Sequence, residues 1–113
     1  MIIYVSHSTD FNYKDELYES LRELKLEFIF PHEAKEINSK EQIKKSDMII
    51  AEVSFNKLGI GIEIGWANAF NKPIIFIYKK GIKISNSLKF IPGKFIEYSD
   101  KEDMINKIKS NLR

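Results

Sequence analysis

One carboxylate in the sequence has surroundings that favour chemistry. Glu63 lies between two isoleucines, Ile62 and Ile64, and follows two closely spaced glycines, Gly59 and Gly61. A glycine turn lets a ligand approach the backbone closely, so this stretch could hold a ligand beside an acidic side chain. The alternative is a glutamate in the first turn of a helix, where it would interact with the helix dipole. The residue types alone leave both interpretations open.

The glycine spacing excludes two common nucleotide sites. Gly59, Gly61 and Gly65 have the pattern G-x-G-x-x-x-G, which is one residue longer than the dinucleotide-binding fingerprint. The segment also lacks the Gly-Lys-Ser/Thr sequence of a P-loop. We therefore expect neither an NAD-binding Rossmann site nor a P-loop, and we expect no cofactor.

Hydrophobic patterning predicts the elements that position these residues. Runs of β-branched and aromatic residues predict five strands, and apolar residues at helical spacing predict four helices. The strands are expected at residues 2–5, 26–30, 47–53, 73–78 and 94–98. The helices are expected at residues 13–26, 39–45 and 59–70 and after residue 102. Sequences with capping-box spacing begin at Ser39 and Ser99.

Alternating strands and helices predict an α/β fold. We expect a single-domain, three-layer sandwich over residues 1–113, with a five-stranded, mostly parallel sheet of the flavodoxin or Rossmann type. In such a sheet, ligands bind beyond the carboxyl ends of the strands, near the point where strand order reverses. The loops at residues 6–10, 54–63 and 78–87 are therefore expected to surround the site.

Composition and charge exclude several classes of function. The 113 residues contain no cysteine, which excludes disulfide scaffolds and cysteine-ligated metals, and two histidines are too few to indicate a metal site. Residues 1–71 carry eight basic and twelve acidic side chains, whereas residues 72–113 carry ten and four. The basic half lacks the features of a nucleic-acid groove, so no nucleic-acid partner is expected. No signal peptide or membrane span is expected either, which favours the cytoplasm.

Three segments share a pattern with a known family: residues 47–54 (Asp-Met-Ile-Ile-Ala-Glu-Val-Ser), 58–67 (Leu-Gly-Ile-Gly-Ile-Glu-Ile-Gly-Trp-Ala) and 71–75 (Asn-Lys-Pro-Ile-Ile). Together they resemble the nucleoside 2-deoxyribosyltransferase family. They are most similar to the branch of 2′-deoxynucleoside 5′-monophosphate N-glycosidases. The resemblance implies cleavage of an N-glycosidic bond, or deoxyribosyl transfer, on a nucleoside or its 5′-monophosphate.

The resemblance also implies roles for individual residues. Glu63 matches the nucleophile that attacks C1′ of the sugar, and Tyr4 matches a tyrosine that hydrogen-bonds this glutamate. Ser8 matches a hydroxyl of the phosphate-binding loop, and Ser87 matches a serine that reaches the phosphate from a neighbouring subunit. The residues expected to bind substrate are Ser6, His7, Ser8, Lys57, Gly59, Gly61 and Ser87.

The sequence departs from the family pattern at three positions. Lys57 replaces a serine of the monophosphate branch, and His7 replaces a glycine of the first loop. Ser39 falls where the family has the aspartate that protonates the leaving base. We therefore predict that Asp47 supplies the acid. The other nearby carboxylates are Glu52 on the same strand and Glu33, Glu36 and Glu41 in the preceding loop and helix.

Two other functions and an assembly remain open. Residues 3–8 (Ile-Tyr-Val-Ser-His-Ser), with Asp10, resemble the opening of TIR domains, which cleave NAD. A nucleotide-binding or sensing module without catalysis is the third interpretation, since Ser39 lacks the acid. Ile60, Ile62, Ile64 and Trp66 make the helix at 59–70 apolar on more than one face. This pattern predicts a homodimer.

Overall fold

The computed structural model of the protein describes residues 1–33 and 37–112, in which strands and helices alternate. The strands are β1 (Ile2–Ser6), β2 (Glu27–Ile29), β3 (Met48–Glu52), β4 (Ile74–Lys79) and β5 (Lys94–Tyr98). The helices are α1 (Glu19–Arg22), α2 (Ser39–Lys45), α3 (Leu58–Ala69) and α4 (Lys101–Asn111). A π-helical turn (Lys14–Tyr18) leads into α1, and a 3₁₀ turn (Asn86–Phe90) precedes β5. No helix in this described part of the chain is long and apolar enough to cross a membrane.

The five strands form one parallel sheet in the order β2-β1-β3-β4-β5. The order reverses at β1, because the chain places β2 on one side of it and β3 on the other. Ser6 pairs with Ala51, so β1 and β3 end side by side. The predicted α/β, flavodoxin-like fold is confirmed, and the sheet is entirely rather than mostly parallel. The crevice for a ligand is expected at the carboxyl ends of β1 and β3.

Both faces of the sheet are covered. Side chains alternate along each strand, so Ile49 of β3 packs with Ile60 of α3 on one face. Ile50 packs on the other face with Leu21 of α1 and Ile108 of α4. Burial on both faces explains why β3 is apolar from Met48 to Ala51, without the alternation of a half-exposed strand.

The first helix is shorter than the pattern predicts. It ends at Arg22 rather than near residue 26, and Lys25 has a left-handed φ of 53°. A residue in this conformation is typical just after a helix end, where it turns the chain away from the helix axis. The chain can then enter β2 at residue 27.

Two helices are capped one residue away from the predicted position. Asn38, not Ser39, caps α2, and its side-chain oxygen accepts the Glu41 N–H at 3.2 Å. Asp100, not Ser99, caps α4. Because Asn38 supplies the cap, the Ser39 hydroxyl is available for another contact.

Candidate active site

A cavity of about 270 Å³ opens at the carboxyl edge of the sheet, beside the ends of β1 and β3. Its walls come from the loop after β1, the turn after β2 and the beginning of α3. The lining residues are His7, Ser8, Thr9, Asp10, His32, Lys57, Gly59, Ile60 and Glu63. Five of the predicted site residues are therefore brought together here. Thr9 and Asp10 of the predicted loop at residues 6–10 also line the cavity, as does His32, which the sequence pattern does not select.

Glu63 is held by two hydroxyl groups of β1. It is the sixth residue of α3, beyond the first turn, so its position does not fit the helix-dipole interpretation. Tyr4 donates to Oε2 at 2.7 Å, and Ser6 donates to Oε1 at 2.6 Å. Tyr4 and Ser6 are two residues apart on a strand, so their side chains leave the same face of the sheet. Each carboxylate oxygen of Glu63 therefore has its own fixed donor.

Ser39 extends this arrangement from the start of α2. Its Oγ lies 3.1 Å from the Tyr4 hydroxyl oxygen. A phenol has one hydrogen, which Tyr4 donates to Glu63, so the Ser39 hydroxyl donates to Tyr4. The three side chains form a chain of hydrogen bonds that ends on the carboxylate.

Tyr4 remains a hydrogen-bond donor throughout the neutral range. Its side chain is fully buried. Burial raises the pKa of Tyr4 well above the ordinary value of 10.0, and the negative charge of Glu63 raises it further. Tyr4 therefore keeps its proton and remains the hydrogen-bond donor to Glu63 Oε2.

His7 forms a buried wall of the cavity. Its Nδ1 lies 2.7 Å from the Ser8 carbonyl oxygen, and its Nε2 lies 2.5 Å from the Tyr18 hydroxyl. A carbonyl only accepts, so Nδ1 carries the hydrogen, and Tyr18 donates to Nε2. Burial lowers the pKa of His7 below the ordinary value of 6.5, which favours the neutral ring. Both ring nitrogens are engaged within the protein, so His7 contributes a neutral, aromatic part of the cavity wall.

Asp10 and Lys57 meet at the mouth of the cavity. Lys57 Nζ lies 2.5 Å from Asp10 Oδ2, and about half of each side chain is exposed. The backbone N–H of Asp10 donates to Ser8 Oγ at 2.9 Å. An exposed ion pair contributes only about 0–1 kcal/mol, so an anionic ligand can replace Asp10 as the partner of Lys57. The sequence signal for Asp10 is its place in the loop after β1.

Gly59 and Gly61 lie inside α3 rather than in a turn before it. Neither has a positive φ, and a Cβ added at either position would meet nothing within 4 Å. Gly59 lines the cavity together with Glu63, so its missing side chain leaves room for a ligand. The predicted glycine turn is therefore the first part of α3. Gly59 matters because it has no side chain beside the cavity, and not because of its backbone conformation.

Ser87 lies apart from Glu63 within the same chain. It belongs to the 3₁₀ turn and lines a second cavity of about 590 Å³, together with Leu58 and Gly61 of α3. The two cavities share Lys57 and Ile60 but not Glu63. A role for Ser87 in the site of a partner subunit therefore stays a prediction.

The structure does not bring Asp47 to the cavity. Asp47 Oδ2 accepts the Ile2 N–H at 2.7 Å, at the amino edge of the sheet. Ile2 and Ser6 are four residues apart on β1, which corresponds to about 13 Å of strand. Asp47 is therefore too far from the Glu63 carboxylate to protonate a base that is bound beside it.

The other candidate acids are also separate from the cavity or outside the described residues. Glu52 is fully buried on the opposite face of the sheet, where it accepts a hydrogen bond from Tyr98. Glu33 forms an exposed ion pair with an arginine of α1, and Glu41 is exposed on α2. Glu36 lies outside the described residues.

Comparison with curated proteins finds a short match. A protein of Syntrophotalea carbinolica named "Putative 2'-deoxynucleoside 5'-phosphate N-hydrolase 1" is 44% identical over 39 residues. The match spans 34% of this chain and 28% of that protein, well under two thirds of its length. No family model matches the chain.

Solved structures share the fold over nearly the whole chain. The CMP N-glycosidase BcmB of Clostridium botulinum has a TM-score of 0.72 and 21% identity, over 96% of this chain and 99% of that one. The predicted resemblance to nucleotide N-glycosidases is confirmed. A conserved protein from Enterococcus faecalis V583 has a TM-score of 0.71 and 19% identity, over 99% of both chains. At these identities the structural likeness shows the fold.

Proposed function

We propose that this protein, as one domain, cleaves the N-glycosidic bond of a nucleoside or its 5′-monophosphate, with Glu63 as the nucleophile. The observation that carries the proposal is the Glu63 carboxylate, which Tyr4 and Ser6 hold on the wall of a cavity at the carboxyl edge of the sheet. The names of the relatives, an N-hydrolase and a CMP N-glycosidase, support the reaction class.

The chemistry proceeds in two steps. A Glu63 oxygen bonds to C1′ of the sugar while the C1′–N bond breaks, and the electron pair leaves with the base. The carboxylate also stabilises the positive charge that develops on the sugar. Because Tyr4 and Ser6 already fix the carboxylate, little reorganisation is needed in the transition state. In the second step an acceptor attacks C1′ and releases Glu63. The acceptor is water in a hydrolase and a second base in a transferase.

A 5′-phosphate would bind at the mouth of the cavity. Lys57 supplies a positive charge there, and its exposed ion pair with Asp10 can be exchanged for a phosphate. Ser8 lines the same cavity and offers a hydroxyl. We therefore expect monophosphates to bind more tightly than nucleosides, with a preference that salt weakens.

The exposed part of α3 supports a homodimer. Leu58 is 82% exposed and Ile62 is 44% exposed, whereas Ile60 and Ile64 pack against the sheet. Exposed large apolar side chains on one helix favour a partner surface. A two-fold contact through this helix would repeat the same residues on both chains and could bring Ser87 of one chain to the cavity of the other.

The test is base release by Glu63→Gln. Glutamine keeps an oxygen that can accept from Tyr4 or Ser6, so the fold is expected to persist while turnover falls by about 10³-fold or more. Glu41→Gln, an exposed change on α2, is the matched control and should keep full activity. Free base is measured by chromatography for a panel of nucleosides, deoxynucleotides and NAD.

Each outcome discriminates between the interpretations. Near-normal turnover by Glu63→Gln would refute the nucleophile, and a collapsed melting temperature would make Glu63 structural. Base release from NAD alone would favour the TIR-like alternative. If the wild-type protein binds nucleotides but releases no base from any member of the panel, it is a binding module.

A further inference from the structure

The proposed reaction lacks a proton donor for the leaving base. Ser39 stands where the resemblance implies an aspartate, and its hydroxyl is committed to Tyr4. Tyr4 is a poor acid, because burial and the Glu63 charge raise its pKa. Asp47 lies at the other edge of the sheet. The proton donor must therefore be another of the residues that line the cavity.

Four titratable side chains besides Glu63 line the cavity: His7, Asp10, His32 and Lys57. Three of them are already engaged. Both ring nitrogens of His7 are hydrogen-bonded within the protein. Asp10 and Lys57 form an ion pair with each other at the mouth. This leaves His32 as the candidate.

His32 is placed by the strand order. It follows β2, and β2 lies next to β1, so His32 reaches the same carboxyl edge as Tyr4 and Ser6. Its ring packs 5.1 Å from the His7 ring and 5.5 Å from the Tyr13 ring, measured between centroids. Within residues 1–33 and 37–112, no hydrogen bond engages either ring nitrogen.

The backbone supports this placement. The His32 N–H donates to the Tyr18 hydroxyl oxygen at 3.2 Å, and the same hydroxyl donates to His7. Tyr18 thus links the turn after β2 to the loop after β1. The side chain of His32 remains exposed, so it can contact a ligand in the cavity.

We propose that His32 is the acid-base catalyst that protonates the leaving base in the reaction of Glu63. The inference rests on the proposed N-glycosidase function. Imidazole is suited to this role, because histidine is the side chain that ordinarily gains and loses a proton near neutral pH.

The steps balance in atoms and charge. As the C1′–N bond breaks, its electron pair goes to the base, and the imidazolium of His32 gives that base its proton. Glu63 becomes the neutral glycosyl ester. Water then attacks C1′, the ester bond returns its electron pair to Glu63, and the neutral imidazole takes the proton of the water. The products are free base and the sugar hydroxyl, with both side chains restored.

The test compares two leaving groups on the same sugar phosphate. One substrate is an ordinary deoxynucleotide, whose base must be protonated. The other is a pyridinium N-glycoside, whose base leaves uncharged without a proton. His32→Gln is expected to lower kcat/KM by about 10²–10⁴-fold on the first substrate and at most a few-fold on the second. Glu63→Gln should lose activity on both. Glu33→Gln is the matched control beside His32 and should leave both rates unchanged.

The outcomes separate this inference from the proposed function. Equal losses on both substrates, or no loss, in His32→Gln with an unchanged melting temperature would overturn the role of His32. The same leaving-group signature in Glu36→Gln instead of His32→Gln would overturn it as well. If the wild-type protein releases no base from either substrate, the proposed function itself fails.

Discussion

Removing the hydroxyl of Tyr4 tests whether the hydrogen-bond chain to Glu63 operates as a unit. Tyr4→Phe keeps the buried ring and deletes the donor 2.7 Å from Glu63. A hydrogen bond to a charged acceptor contributes about 1.5–3 kcal/mol. If Tyr4→Phe removes this stabilisation from the transition state, kcat falls by about 10–150-fold. Ser39→Ala removes a neutral hydrogen bond of about 0.5–1.5 kcal/mol, which corresponds to about 2–10-fold.

A double-mutant cycle makes the prediction sharp. Ser39 contacts Glu63 only through Tyr4, so Ser39→Ala should lower kcat/KM in the wild-type background and have no further effect in Tyr4→Phe. Both rates and melting temperatures are measured for the four proteins. Ser46→Ala, a change at the other end of α2, is the matched control and should leave kcat/KM unchanged. Equal losses in the two backgrounds would refute the idea that Ser39 acts through the phenol.

Three further predictions concern the phosphate, pH and assembly. Asp10→Asn should release Lys57 from its ion pair and lower KM for a monophosphate by about 2–5-fold at low salt, with no change in KM for the nucleoside. Equal changes in KM for both substrates would argue against phosphate binding at Lys57. Burial lowers the pKa of His7, so the stability that the neutral His7 ring provides is present above pH 6.5 and is lost as the pH falls below that value. Thermal melts from pH 7 to pH 5 should therefore show a steeper fall in melting temperature for wild type than for His7→Gln. Identical slopes would contradict this. Light scattering should detect a dimer of the 13.2 kDa chain. Mixing the Glu63→Ala chain with the Ser87→Ala chain should restore activity, because one site of the hybrid dimer would then have both residues. An active monomer would exclude a site shared between two chains.

The sequence by itself determined most of the secondary structure and the edge of the sheet that carries the site. Residues 48–51 of β3 and 74–77 of β4 are buried on both faces, so each strand contains a continuous apolar run that marks it without any knowledge of its neighbours. The helix caps moved by one residue, because Asn38 and Ser39 can both accept a hydrogen bond at a helix start. The isoleucines beside Glu63 made it a candidate but left its role open, and the match to the family nucleophile then selected it.

Only the tertiary structure decided which polar groups meet Glu63. Ser39 is 35 positions from Tyr4 in the chain and yet reaches its hydroxyl. Asp47 directly precedes β3, the strand that Glu52 ends, and so lies at the amino edge of the sheet, away from the cavity. His32 lines the cavity because β2 lies beside β1. Such contacts depend on strand order and register, which bring together residues that are distant in sequence. The local pattern of apolar side chains specifies only which face of its helix or strand each residue occupies.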